Sequence, residues 1–141
     1  MIRSFFIILV VTFCVSSVDG FSQDVDGRIM AVNEVLAPSY NIERKGSNIL
    51  ISGFREGKLV KVDKVSVHDL DIETLKISSV DSTVSVKCYS DLDGCVARTL
   101  MRERKKKSYR NRIVFGIDES KSGEEIAEKL RLLMVDLAQK H

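Results

Sequence analysis

The feature that most restricts the fold is an amphipathic segment near the C terminus, from Ser122 to Gln139. Its apolar residues recur at steps of three and four, which places them on one face of an α-helix. Ser122, followed three residues later by Glu125, predicts a capping box at the helix start. Most of the chain over residues 49–117 predicts strands, so we expect a sheet to cover the apolar face. That face comprises Ile126, Ala127, Leu130, Leu133, Met134 and Leu137.

The first 22 residues predict a removable signal peptide. Arg3 gives a positive start, residues 5–15 form an apolar core, and Gly20-Phe21-Ser22 has the pattern of a cleavage site before Gln23. A membrane anchor is the alternative, but the apolar run is short for crossing a bilayer. We therefore expect a secreted or periplasmic protein whose mature chain, residues 23–141, is a single domain with no transmembrane segment.

Positive and negative charges are nearly balanced in this chain. The sequence carries 22 Lys and Arg residues against 20 Asp and Glu residues, a formal net charge of +2. A domain dedicated to nucleic acid is usually strongly basic, so we expect no nucleic-acid partner.

The cysteines predict one disulfide. Cys14 leaves with the signal peptide, and Cys88 and Cys95 remain as an even pair in an exported chain. The turn-like residues between them favour a bond that staples neighbouring strands, contributing about 2 kcal/mol because the loop is short. A redox or zinc pair is the alternative, but the spacing is not Cys-x-x-Cys and no His lies nearby.

Residues 24–40 predict a short amphipathic helix. Its apolar stripe is Val25, Ile29, Val32 and Leu36, and Pro38 is expected to end it. The region 23–45 then consists of this helix and a linker. A disordered N-terminal arm is the alternative.

Patterns typical of strands occupy most of residues 49–117. The first two predicted strands cover residues 49–54 and 59–67. In the second, the apolar residues change from one face to the other, which predicts a bulge near Asp63-Lys64 or a short break. Shorter strands are predicted at 75–77, 84–88, 95–101 and 112–117. We expect the strand that begins at Cys95 to pair with the strand 84–88.

This order predicts an α+β domain: a bent antiparallel sheet or partly open barrel of about six to seven strands, closed by a C-terminal helix, with a short N-terminal helix. Over residues 49–139 it resembles the pleckstrin-homology-like fold. The tail, residues 113–118 leading into 125–130, is also similar to that of small exported bacterial proteins of unknown function. The resemblance implies a binding scaffold and not an enzyme, and it brings no catalytic residues.

A basic run is the most distinctive local feature, and we expect it at a hairpin tip. Such a loop can hold an anion, such as a lipid headgroup or an acidic glycan. A solvated loop whose charges discourage edge pairing is the alternative, and it is the commoner role for charge runs. The run comprises Arg102, Arg104, Lys105, Lys106, Lys107, Arg110 and Arg112.

Other constellations predict no metal site and no active site. The pairs Asp24-x-Asp26, Asp69-x-Asp71 and Asp91-x-Asp93 lack the further ligands of a calcium loop, so turn formation is the simpler interpretation. His68 beside Asp69 has the form of a base and its orienting acid, but no nucleophile motif accompanies it.

We therefore expect an exported, non-enzymatic binding module without a cofactor. The first hypothesis is an unknown protein or peptide docked along an exposed strand edge or the barrel rim. The second is an anionic glycan or lipid surface bound through the basic run 102–112. The third is a small hydrolase that uses His68 and Asp69.

Overall fold

The structure, a computed structural model, describes residues 20–102 and 106–139, with side chains from Val25 onward. Two α-helices and eight strands are its main elements. The α+β class is confirmed, with at least one strand more than predicted. The predicted signal peptide lies almost entirely outside the described residues. The elements are α1 (Gly20–Leu36), β1 (Tyr40–Lys45), β2 (Asn48–Arg55), β3 (Lys58–Ser66), β4 (Leu70–Ser78), β5 (Thr83–Cys88), β6 (Val96–Leu100), β7 (Lys106–Arg110), β8 (Arg112–Gly116) and α2 (Gly123–Gln139).

The strands form two antiparallel sheets that do not close into a barrel. The first sheet has the order β1-β2-β3-β6-β7, and the second has the order β4-β5-β8. The chain enters the second sheet through a short 3-10 helix, Val67–Asp69, returns to the first sheet after β5, and crosses again between β7 and β8. The last crossing is abrupt, because Asn111 is the only residue between these two strands.

Helix α2 buries the apolar face that the sequence predicts. All six of its predicted apolar residues are at most 8% exposed. The helix packs on β4 and β5, as expected, but also on α1. One of the two hydrogen bonds of the predicted capping box is present: Glu125 N–H donates to Ser122 Oγ at 3.4 Å. The Glu125 carboxylate instead pairs with Lys129, one turn later, at 3.1 Å.

Helix α1 is tied to the rest of the fold by three polar side chains. Arg28 pairs with Asp136 of α2. The Asn33 amide accepts from Ile42 N–H at 2.7 Å and donates to Ile42 C=O at 3.0 Å, which fixes β1 against the helix. The Lys121 ammonium donates to Val35 C=O at 2.8 Å and also to the Ala37 carbonyl, so it caps the helix end.

The structure corrects two predictions near the N-terminal end of the domain. Residues 40–45, assigned to a linker, form the edge strand β1. The predicted bulge near Asp63-Lys64 is wrong, because both residues pair regularly with β2. The irregularity lies earlier, where Gly53 pairs with Lys61 and Phe54 pairs with Leu59.

A further correction concerns β6, which was expected to pair with residues 84–88. It pairs instead with β3 and β7, while β5 lies between β4 and β8. Cys88 and Cys95 are at bonding distance, with 6.0 Å between their Cα atoms, as predicted. Because of this pairing, the disulfide connects the end of β5 in the second sheet to the segment that leads into the first sheet.

Candidate anion-binding cleft

An open cleft of about 550 Å³ lies between β8, at the edge of the second sheet, and residues of the first sheet. Its volume is within the usual range of small-molecule sites. Four of its lining side chains are cationic, and none of the described residues that line it is acidic. The side chains that decide its chemistry are Tyr40, Lys61, Arg98, Tyr109, Arg110 and Arg112.

Asp63 and Arg98 form an ion pair at the base of this cationic group. The register places Asp63 of β3 opposite Arg98 of β6. The guanidinium donates two hydrogen bonds to the carboxylate, 2.8 Å from Nε to Oδ1 and 3.1 Å from Nη2 to Oδ2. These bonds raise the pKa of Arg98 above its ordinary value. Asp63 is only 1% exposed, so the fold needs this partner to compensate a buried charge.

Lys61 reaches the cleft along a path that Gly53 leaves open. A Cβ atom on Gly53 would lie 2.9 Å from Lys61 Cγ, so the lysine stem runs directly over the glycine. Its ammonium lies 5.8 Å from the centre of the Tyr40 ring. Burial lowers the pKa of Lys61 from 10.5, and the charges of Arg98 and Arg110 lower it further, while Asp63 acts in the opposite direction. The charges of Arg98 and Arg110 therefore disfavour the protonated form of Lys61.

The crossing between β7 and β8 places Arg110 and Arg112 on either side of Asn111. The disulfide-bonded segment holds this crossing at two points: Cys88 N–H donates to Asn111 C=O at 2.8 Å, and Gly94 N–H donates to Asn111 Oδ1 at 2.9 Å. Gly94 has φ +70°, and a Cβ atom there would lie 2.8 Å from the Cβ of Tyr109. A glycine at this position thus permits the close approach of Tyr109.

The free edge of β8 also faces the cleft. Gly116 N–H donates to the Tyr40 hydroxyl at 2.9 Å, and Ile117 N–H points the opposite way, to Ser82 C=O at 2.8 Å. Backbone groups alternate along a strand, so Val114 N–H points to the same side as Gly116 N–H. Tyr40 closes one end of this edge and packs edge-to-face on Phe115, with ring centres 5.2 Å apart.

The predicted basic run is divided by the structure and is not a hairpin tip as a whole. Arg110 and Arg112 line the cleft, whereas Arg102 lies in the turn after β6 and lines a neighbouring groove. Lys106 and Lys107 are exposed on β7, a strand that the sequence analysis did not predict. Arg104 and Lys105 lie outside the described residues.

The remaining candidates of the sequence analysis are not among the residues that line the cleft. Asp71, Asp91 and Asp93 line a groove near the disulfide that adjoins the cleft, since Asn111 and Arg112 line both. Within residues 20–102 and 106–139, no group of three or more His, Cys, Asp or Glu side chains is arranged to hold a metal ion. His68 is exposed on the 3-10 helix with Asp69.

Sequence reasoning missed the contributions of β3 and β6 to the cleft. In β3, Lys61 and Asp63 lie on the same face of the strand as the buried Val65. In β6, Arg98 lies on the same face as the buried Val96, so both apolar strands carry charged residues at inward positions. A charge at such a position requires a partner or a solvated cleft. These inward charges were the sequence signal for the cleft, but the sequence analysis interpreted the pattern in β3 as a bulge near Asp63-Lys64.

No protein-family model matches the chain, and no curated protein or solved structure shows significant similarity to it. In the part of the chain that the structure describes, neither helix is long and apolar enough to cross a membrane.

Proposed function

We propose that the chain is a non-enzymatic binding module that recognises an anionic group of its ligand, a phosphate, sulfate or carboxylate, in the cleft between the sheets. The observation that supports this most directly is the convergence of Lys61, Arg98, Arg110 and Arg112 on one cleft. Among the described residues, only Arg98 of these four forms a salt bridge. Like charges held close together are unfavourable, and a bound anion relieves their repulsion.

The first sheet favours this proposal over a peptide docked on an outer strand edge. Its two edge strands are β1 and β7. The exposed positions of β1 include Glu43, Arg44 and Lys45, and four of the five residues of β7 are exposed, three of them Lys or Arg. Charged side chains on edge strands oppose pairing with another strand.

We further propose that the module acts outside the cytoplasm, in a periplasm or as a secreted protein, after loss of the predicted signal peptide. The pair Cys88 and Cys95 supports this, since disulfides persist in oxidising compartments. A pleckstrin-homology-like fold would agree with a binding role and is retained as part of the proposal.

Titration with inorganic phosphate tests the proposal. The measurement is the dissociation constant by calorimetry, for the unaltered chain and for a variant carrying Arg110→Gln and Arg112→Gln. A charge-assisted hydrogen bond contributes about 1.5–3 kcal/mol, so we expect the variant to bind phosphate roughly tenfold or more weakly. Binding to the unaltered chain should also weaken as salt is raised.

The matched control carries Lys106→Gln and Lys107→Gln. It also removes two positive charges, but from Lys106 and Lys107 of β7, whose side chains are exposed and lie outside the cleft lining. We expect it to bind phosphate nearly as well as the unaltered chain. Equal losses in the two variants would mean that only net charge matters, and no phosphate binding by the unaltered chain would refute the proposal.

A further inference from the structure

A second groove, of about 500 Å³, lies beside the cationic cleft at the end of the first sheet. Its apolar lining comes from Leu59 and Val60 of β3 and from Leu100 and Met101 at the end of β6. Met101 N–H donates to Val60 C=O at 3.0 Å, which joins the two chain segments next to the groove. Leu59 is 40% exposed, so this apolar surface is open to solvent.

Charged residues surround this apolar lining, and most of them are cationic. Arg55, Lys58 and Arg102 contribute positive charges, and Glu56 contributes the one acidic side chain among the described lining residues. An apolar surface with a cationic rim complements a ligand that has an apolar body and an anionic group.

Lys61 lines both the cleft and the groove, so the two adjoin at this residue. Its stem lies over Gly53, and its ammonium stands near Tyr40. A ligand that passes Lys61 can therefore contact cations on one side and apolar side chains on the other.

We infer that the site binds an anionic amphiphile: its phosphate-like headgroup lies among Lys61, Arg98, Arg110 and Arg112, and a single alkyl chain lies along Leu59, Val60, Leu100 and Met101. This inference rests on the proposed function, because it assigns the ligand class of the same cleft. It adds a requirement that a simple anion site lacks, namely that affinity depends on the length of the apolar chain.

Methyl, butyl and octyl phosphate, each below its micelle concentration and at one ionic strength, are the probes for calorimetric titration. Affinity is expected to rise by roughly three- to fourfold for each methylene group that is buried. Neutral octyl glucoside, which has the same chain without the charge, is expected to bind far more weakly than octyl phosphate.

Leu59→Ser is the variant that tests the groove. It is expected to weaken octyl phosphate binding several-fold and to leave methyl phosphate binding unchanged. Leu132→Ser is the matched control, because Leu132 is 39% exposed on α2 and does not line the groove. Unchanged methyl phosphate binding shows that a variant is folded.

The outcomes separate this inference from the proposed function. Equal affinities for methyl and octyl phosphate would overturn the amphiphile and leave the anion cleft in place. The amphiphile would also be overturned, and the anion cleft kept, if an acidic peptide competes with methyl phosphate and octyl phosphate binds no better than methyl phosphate. Failure of all three phosphates to bind would overturn both.

Discussion

The helix side and the cleft side of this molecule are stabilised in different ways. On the helix side, α2 buries six apolar residues against α1, β4 and β5. On the cleft side, β3 and β6 direct Asp63 and Arg98 inward, and the cleft beside them is lined with cations. An apolar face can be covered by any apolar partner, whereas a buried charge is stable only with one specific partner in one geometry.

The two sides also differ in how their charges are arranged. The helix side contributes apolar burial, and its charged residues include the ion pairs Arg28–Asp136 and Glu125–Lys129. On the cleft side, burial lowers the pKa of Lys61, and the nearby charges of Arg98 and Arg110 lower it further.

The largest effect is expected from Arg98→Leu. The substitution removes both hydrogen bonds that Arg98 donates to the buried Asp63 carboxylate, so we expect a loss of about 3–5 kcal/mol in the free energy of unfolding, measured by urea denaturation. The double variant with Asp63→Leu should recover much of this loss, because both charges are then absent. A cost near zero for the single variant would contradict the buried ion pair.

Leu133→Ala tests the helix side with a slightly smaller expected effect. Leu133 is 1% exposed, and its truncation should lower the free energy of unfolding by about 2–5 kcal/mol through lost burial and a residual cavity. The control is Leu132→Ala, one residue earlier on the exposed face, with an expected change within about 0.5 kcal/mol. Similar costs for the two variants would refute the assigned buried face of α2.

Lys61→Met should produce the smallest change, visible as pH dependence. Between the lowered pKa of Lys61 in the folded chain and 10.5, the unfolded chain binds more protons, so stability rises with pH in that window. The variant should lack this part of the rise. The control is Lys64→Met, because Lys64 is an exposed lysine of the same strand. If the unaltered chain and Lys61→Met show the same dependence of unfolding free energy on pH, the lowered pKa of Lys61 is contradicted.

Sequence reasoning recovered the helix side because its signals are local. The spacing of the apolar residues of α2 and the cap at Ser122 lie within one segment, as do the alternation of β5 and the end of α1 before Pro38. The disulfide was predicted from the count of cysteines and is confirmed by the structure.

The cleft could not be predicted in the same way, because it depends on which strands become neighbours. The ion pair joins residues 35 positions apart, and only the pairing of β3 with β6 brings them together. Strand β7 has no apolar alternation, since its residues are mostly charged and exposed, so its sequence resembles a loop. The basic run gave two of the four cations, Arg110 and Arg112, but neither Lys61 nor Arg98.

The contact between Asn33 and β1 has a consequence for self-association. Because the Asn33 amide occupies both the N–H and the C=O of Ile42 on the side away from β2, it takes the place that a residue of an incoming strand would fill. Another copy of the chain cannot extend the sheet past this point without displacing α1. A single amide side chain therefore protects one border of the first sheet from fibril-like growth.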